Sequence, residues 1–214
     1  MKDVTIIEHP LVQHYLSILR DKTTGKTNFK YSLEKISYLL ASFVYSSLEL
    51  KNIRISTPLK RCKGREIDDK VVILPVFRAG LGFTHGFVDL LLSALVGHIV
   101  MYRDEKTLEP VKYYFNCPEI RERKHLKVLV LDPMIATGGS SIYTIEHLFK
   151  LKIHKVYVIS LLCALEGINA IKKRSSNNES KDIELVTCGV DERVNKNGFI
   201  VPGLGDARDR MFGT

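Results

Sequence analysis

Residues 126–141 read LKVLVLDPMIATGGSS. Lys127–Leu131 is a short, almost wholly apolar run, which suits a strand buried on both faces. Asp132 and Pro133 stop it. Ala136, Thr137, Gly138, Gly139, Ser140 and Ser141 follow, small or hydroxylated, and lead into a helix expected over Gly139–Lys152. A loop of this kind aims free backbone N–H groups and the positive end of a helix dipole at whatever sits there. Thr137 and Ser140 add hydroxyl donors. A phosphate monoester suits such a cradle. Asp132, one loop-length away, can accept hydrogen bonds from sugar hydroxyls, and a ribose 5-phosphate offers both groups. An ordinary N-capping loop also carries a glycine and a hydroxyl, but Asp together with Thr-Gly-Gly-Ser favours a ligand. Neither G-x-x-x-x-G-K-[ST] nor G-x-G-x-x-G is present.

Outward from this stretch the chain alternates. Helices are expected at Pro10 to about Arg20 and over Phe29–Leu48, where Leu33, Ile36, Leu39, Leu40, Phe43 and Val44 share a stripe. Val71–Val76 reads as a buried strand, Gly82–Leu95 as a helix and Val96–Tyr102 as a second strand. Arg103–Cys117 suits a hairpin or flap. Beyond the opening stretch come a strand at Val156–Leu162, a helix at Glu166–Lys173 and a strand at Ile183–Cys188. Apolar strands alternating with helices predict an α/β fold, a central parallel sheet flanked by helices. Ligands of such sheets bind beyond the carboxyl ends of the strands. Arg78, Arg103 and Asp132 all stand at such ends.

The 214 residues suit a single domain over 1–214, with N-terminal helices in 1–50, a core of about 70–188 and a C-terminal segment of about 189–214. No run approaches the ~20 apolar residues of a membrane span, and the first residues lack a signal peptide's pattern. A cytoplasmic protein with no membrane partner is expected. Four cysteines show no metal-finger spacing, and Cys163 and Cys188 read as small buried hydrophobes. The net charge of +8 fits either nucleic acid or a small polyanion. The clusters Lys60–Arg65 and Arg121–Lys127 carry no aromatics and no reader motif, so they read as solvated faces and no nucleic-acid partner is expected.

Two arginines at strand ends, Arg78 and Arg103, can hold a diphosphate and stabilise charge as it leaves. The tail Gly198–Thr214, GFIVPGLGDARDRMFGT, continues neither a helix nor a strand. Its glycines suit a loop folded over a small planar ligand whose edge main-chain groups can read.

LDPMIATGGS resembles the phosphoribosyl-diphosphate (PRPP) motif of the type I phosphoribosyltransferases, and VPGLGDA with DRMFGT resembles the base-recognition tail of their uracil branch. The stretches EHPLVQHYLSILRD, PVFRAGLG, MYRDEKTLEPVKYY and EGINAI extend the similarity over nearly the whole chain. The resemblance implies a sheet with a flap or β-arm and a C-terminal base-recognition hood. It implies transfer of the 5-phosphoribosyl group from PRPP to N1 of uracil, giving UMP and diphosphate, with Mg²⁺. By matching motif, PRPP falls to Arg78, Arg103, Asp132, Pro133, Met134, Ile135, Ala136, Thr137, Gly138, Gly139, Ser140 and Asp206. Uracil falls to Ile200, Gly205, Asp206 and Ala207, and catalysis to Arg103, Asp132 and Asp206. Mg²⁺ is expected mainly on PRPP itself, with Asp206 the one candidate protein ligand. A homo-oligomer, dimer or higher, and a GTP effector are also implied. The flap around Leu108–Tyr114 would exclude water.

Three positions depart from the pattern. Arg208 stands where the family has Gly (GDARDR for GDAGDR), so either a left-handed backbone is strained or a cation flanks the base pocket. Phe199 replaces Tyr, and Leu165 replaces Pro. A non-catalytic PRPP- or nucleotide-binding regulator is the alternative to an active enzyme.

Overall fold

The computed structural model describes residues 4–103, 110–118, 125–176 and 182–213. In chain order, β1 (Val4–Ile6) precedes α1 (Pro10–Arg20), α2 (Lys26–Tyr45) and a hairpin of β2 (Leu50–Ser56) and β3 (Arg61–Ile67). Next, β4 (Lys70–Phe77) leads into α3 (Ala79–Leu90), followed by β5 (Leu95–Val96), β6 (His98–Arg103) and β7 (Pro110–Asn116). The next crossover is β8 (Leu126–Leu131), β9 (Met134–Ile135) and α4 (Gly139–Lys150), and then β10 (Lys155–Ser160), β11 (Leu162–Ala164) and α5 (Leu165–Ser176). Last come β12 (Asp182–Thr187), β13 (Val190–Asp191), β14 (Arg193–Val194), β15 (Ile200–Val201) and α6 (Ala207–Phe212).

The main sheet runs β1-β12-β10-β8-β4-β6-β7, with β5 beside β4. All its pairs are parallel except β6–β7, which is antiparallel. Period-two alternation explains why both faces are covered. Along β4, Val71 and Ile73 enter the core shared with α1, α2 and α3, while Val72, Leu74 and Val76 enter the core under α4 and α5. In the same way β8 divides Leu129 and Leu131 from Val128 and Val130. Every strand of this centre is apolar on both sides, which fits its uninterrupted Val and Leu runs.

The α/β architecture agrees with the expectation, and several boundaries differ. α3 starts at Ala79, not Gly82, and its Gly80 lets the first turn lie close against the sheet: a Cβ there would lie 2.8 Å from the Leu131 carbonyl oxygen. α2 runs three residues earlier than expected, from Lys26. Val156–Leu162 is broken into β10 and β11 at Leu161, whose N–H leaves the main ladder for the Pro133 carbonyl oxygen (3.0 Å). The β2–β3 hairpin and the edge strand β1 were not expected. The tail corrects a firmer expectation: it holds β15 and the helix α6, with Asp206 accepting from the Arg208 and Asp209 N–H groups as N-cap. Cys163 and Cys188 are buried. Among the described residues no helix is long and apolar enough to cross a membrane.

Candidate active site

Where β4 and β8 end, the chain turns into α3 and into the 132–138 loop, and a cavity of about 190 Å³ opens between these turns and the C-terminal segment. Arg78 enters it as N-cap of α3, just after the cis Phe77–Arg78 peptide. Asp132 enters after β8. It is buried, and its Oδ2 accepts from Ser141 Oγ at 2.8 Å, so the first turn of α4 orients the carboxylate. Met134, Ala136, Thr137, Gly139 and Ser140 line the same cavity.

Three residues of the expected phosphate segment do not line it, each for a structural reason. Pro133 turns its carbonyl away to accept from Leu161 N–H and Leu162 N–H, both at 3.0 Å, and from Ser160 Oγ at 3.1 Å. Ile135 is buried in the core under α4 and α5. Gly138 is the α4 N-cap at φ +80°, a left-handed turn that glycine adopts without a Cβ penalty. No side-chain hydrogen bond caps α4, and Gly139 and Ser140, whose N–H groups begin the helix without an intrahelical acceptor, line the cavity. Arg103 ends β6, but its side chain lies outside the described residues, as do Leu108 and the expected flap's neighbouring positions through residue 109.

The opposite lining is the C-terminal hood. Ile200, Gly205, Asp206 and Ala207 all line the cavity, with Gly198 and Phe199 beside them. The turn rests on positive φ at Gly203 (+59°) and Gly205 (+80°). The hood does not stand alone. Arg20 forks onto Asp191 at 2.8 and 2.6 Å and also donates to the Gly203 carbonyl oxygen at 2.9 Å. Asp191 in turn accepts from Gly203 N–H at 2.8 Å. Arg210 binds the Leu19 and Leu204 carbonyl oxygens and reaches the Asp21 carbonyl oxygen at 2.6 Å, with its guanidinium 4.6 Å over the Phe29 ring. Arg20, Asp191 and Arg210 were not singled out from the sequence. Arg20 and Asp191 lie 171 positions apart, a separation at which no local pattern signals a pair.

Arg208 lines the cavity as well. Lys152 is the residue other than glycine with positive φ among those described, so Arg208 is not strained; it sits in the first turn of α6. Its guanidinium meets Asp206 at 2.7 Å (Nη2 to Oδ2) and 3.2 Å (Nε to Oδ1). Burial works to raise the Asp206 carboxyl, but the Arg208 hydrogen bond and charge, with the Arg208 and Asp209 N–H groups, outweigh it and hold it below the usual carboxylate range. Glu49, Asp69 and His125 group closely enough to hold a cation, but none of them lines this cavity.

The arrangement joins a helix N-terminus, a buried carboxylate and a guanidinium to a hood of main-chain groups. Such an arrangement can hold a phosphorylated sugar beside a planar base. The family model for uracil phosphoribosyltransferase matches residues 6–214. A uracil phosphoribosyltransferase of Dictyoglomus thermophilum is 42% identical over 212 residues, covering 99% of each chain. One from Streptococcus thermophilus is 41% identical over 210 residues, covering 98% of this chain and 97% of its own. Among solved structures, a protein from Aquifex aeolicus superposes with a TM-score of 0.89 at 29% identity, covering 99% of each chain. An adenine phosphoribosyltransferase from Leishmania donovani shares the fold, with a TM-score of 0.56, 15% identity and 91% and 86% coverage.

Proposed function

The chain belongs to the uracil phosphoribosyltransferase family, and from that premise we propose that it converts PRPP and uracil into UMP and diphosphate. It is a pentosyltransferase of pyrimidine salvage. One observation carries the reading furthest: the ribose-phosphate segment (Asp132, Thr137, Gly139, Ser140) and the hood (Ile200, Gly205, Ala207) line a single cavity. In this reading one cavity brings the base and the sugar C1′ together, and proximity of that kind supplies much of the catalysis.

In this reading uracil N1 forms a bond to C1′, the C1′–O bond to the diphosphate breaks with its electron pair leaving on oxygen, and the N1 proton is released. Charge builds on the ribose and on the departing diphosphate. The α4 N-terminus holds the 5-phosphate, Asp132 accepts from the ribose hydroxyls, and Arg78 and Arg103 take the diphosphate. Main-chain groups of Ile200 and Gly205–Ala207 read the imide edge of uracil.

The donor set fits a Mg²⁺ ion carried chiefly by the substrate's own oxygens. The two carboxylates lining the cavity are already engaged, Asp132 by Ser141 and Asp206 by Arg208. Asp206 could add a protein ligand only by sharing oxygens with the Arg208 fork, so the ion would rest mainly on PRPP and would neutralise diphosphate charge there. We read the chain as one domain over 1–214 and the protein as a cytoplasmic homo-oligomer with GTP as an effector. Light scattering, and an assay with and without GTP, test these last two points. The regulator reading is not favoured, because the family match spans residues 6–214.

The deciding experiment supplies PRPP and Mg²⁺ with uracil, cytosine, orotate, hypoxanthine or no base. Diphosphate and UMP are expected with uracil alone. Folded protein that binds PRPP and makes no UMP overturns the reading.

A further inference from the structure

Arg208 is the charged residue of the cavity wall that the proposed chemistry leaves unused. It is half exposed (48%), whereas the Asp206 side chain paired to it is 14% exposed. Asp206 Oδ1 accepts from Arg208 N–H (2.8 Å) and Nε (3.2 Å), and Oδ2 accepts from Nη2 (2.7 Å). A guanidinium pinned along one edge presents a fixed plane, and of its five N–H donors three remain. Among the described residues these meet no other acceptor.

Charge strengthens the case. The cavity lining carries two carboxylates, Asp132 and Asp206, and two guanidinium groups, Arg78 and Arg208. With a neutral residue at 208 the Asp206 carboxylate would stand uncancelled in a site for a polyanion. Position along the ligand follows from the hood. Gly205, Asp206 and Ala207 immediately precede Arg208, and C1′ both receives the base and bears the diphosphate. Asp206 is assigned to both PRPP and uracil in the proposed reading, so the guanidinium forked onto it borders the diphosphate end, while the 5-phosphate lies at the α4 N-terminus.

We propose that Arg208 is a further substrate-binding residue, a guanidinium aimed by Asp206 that binds the diphosphate end of the substrate and cancels the Asp206 charge beside it. The proposal rests on the phosphoribosyl-transfer reading of the cavity. Arg208 also does what a compact ammonium cannot, because the Asp206 fork fixes the direction of its remaining donors.

The test is calorimetric binding of inorganic diphosphate, with ribose 5-phosphate as a second probe, to the full chain and to Arg208→Gln and Arg208→Lys. Arg208→Gln is expected to weaken diphosphate binding about tenfold or more at low salt, since a charge-assisted contact is lost and a carboxylate unmasked. Ribose 5-phosphate binding stays within about twofold, because its cradle is the α4 terminus. Arg208→Lys lies between, and removing the Asp206 charge as well (Asp206→Asn with Arg208→Gln) recovers part of the loss. In steady state, KM for PRPP rises in Arg208→Gln far more than KM for uracil. A purely structural role for Arg208 would weaken both probes together, and that result overturns the proposal. So does an unchanged diphosphate affinity in Arg208→Gln, or a wild type that binds no diphosphate. A wild type that binds diphosphate, loses it on Arg208→Gln and makes no UMP would sink the reaction assigned above and leave Arg208 standing.

Discussion

The 132–141 loop and the 198–213 hood line one cavity and are built in opposite ways. The loop is local. One strand end, one glycine at φ +80° and one helix start set it, and Ser141 orients Asp132 from only nine positions away. The hood is assembled at long range: Asp191 and Gly203 hang on Arg20, while Arg210 ties α6 to the α1–α2 turn through Leu19 and Asp21. On the proposed assignment, phosphate and ribose recognition rests on the ends of the sheet strands, and base recognition rests on a hood braced by N-terminal helices that do not line the cavity. Damage to those helices should then separate the two functions.

The largest expected break is Asp191→Ala. It strands the Arg20 guanidinium and the Gly203 N–H, at a cost of about 3 kcal/mol, the low end for a broken buried pair because Arg20 is partly solvated. A lowered melting temperature and a raised KM for uracil, with ribose 5-phosphate binding retained, would support the division. Equal loss of both ligands would erase it. Asp132→Asn is the converse. A drop of about a hundredfold in turnover, ~2.7 kcal/mol of barrier, is expected for a lost electrostatic contact, with the melting temperature nearly unchanged; full activity would remove Asp132 from the mechanism.

Gly138→Ala is smaller, about 1–2 kcal/mol for a Cβ at left-handed φ, and its Cβ would lie 3.0 Å from the Gly167 carbonyl oxygen. Its effect should fall on ribose 5-phosphate affinity before uracil KM. The smallest effect is with pH. The Asp206 carboxyl is held below its unfolded value of about 3.9. The stability it contributes is therefore complete above that value and lost as pH falls through the lowered folded one. Acid unfolding followed by melting temperature should show Asp206→Asn losing that segment of the curve; identical acid limbs would remove Asp206 from it.

Much of the loop could be read from the chain because its determinants are neighbours in sequence. The same holds for the apolar centre, where Val71–Val76 and Lys127–Leu131 show burial on both faces by composition alone. The β2–β3 hairpin escaped notice because its residues are mostly exposed on both faces, leaving no apolar alternation to find. β1 is three residues long and pairs with β12 from the far end of the chain. α6 spans six residues, too few for a helical period to stand out among glycines.

What the sequence determined by itself was the strand–loop–helix over 126–150, the alternation that makes a parallel sheet, and the order of the candidate site segments along the chain. Only the tertiary structure decided that Pro133, Ile135 and Gly138 shape the loop without lining the cavity. It alone decided, too, that Arg20 and Arg210 carry the hood and that Arg208 forks onto Asp206. The reason is physical. A backbone turn and a helix dipole are set within a few residues, whereas an ion pair across 171 positions needs the whole fold to bring α1 against β13.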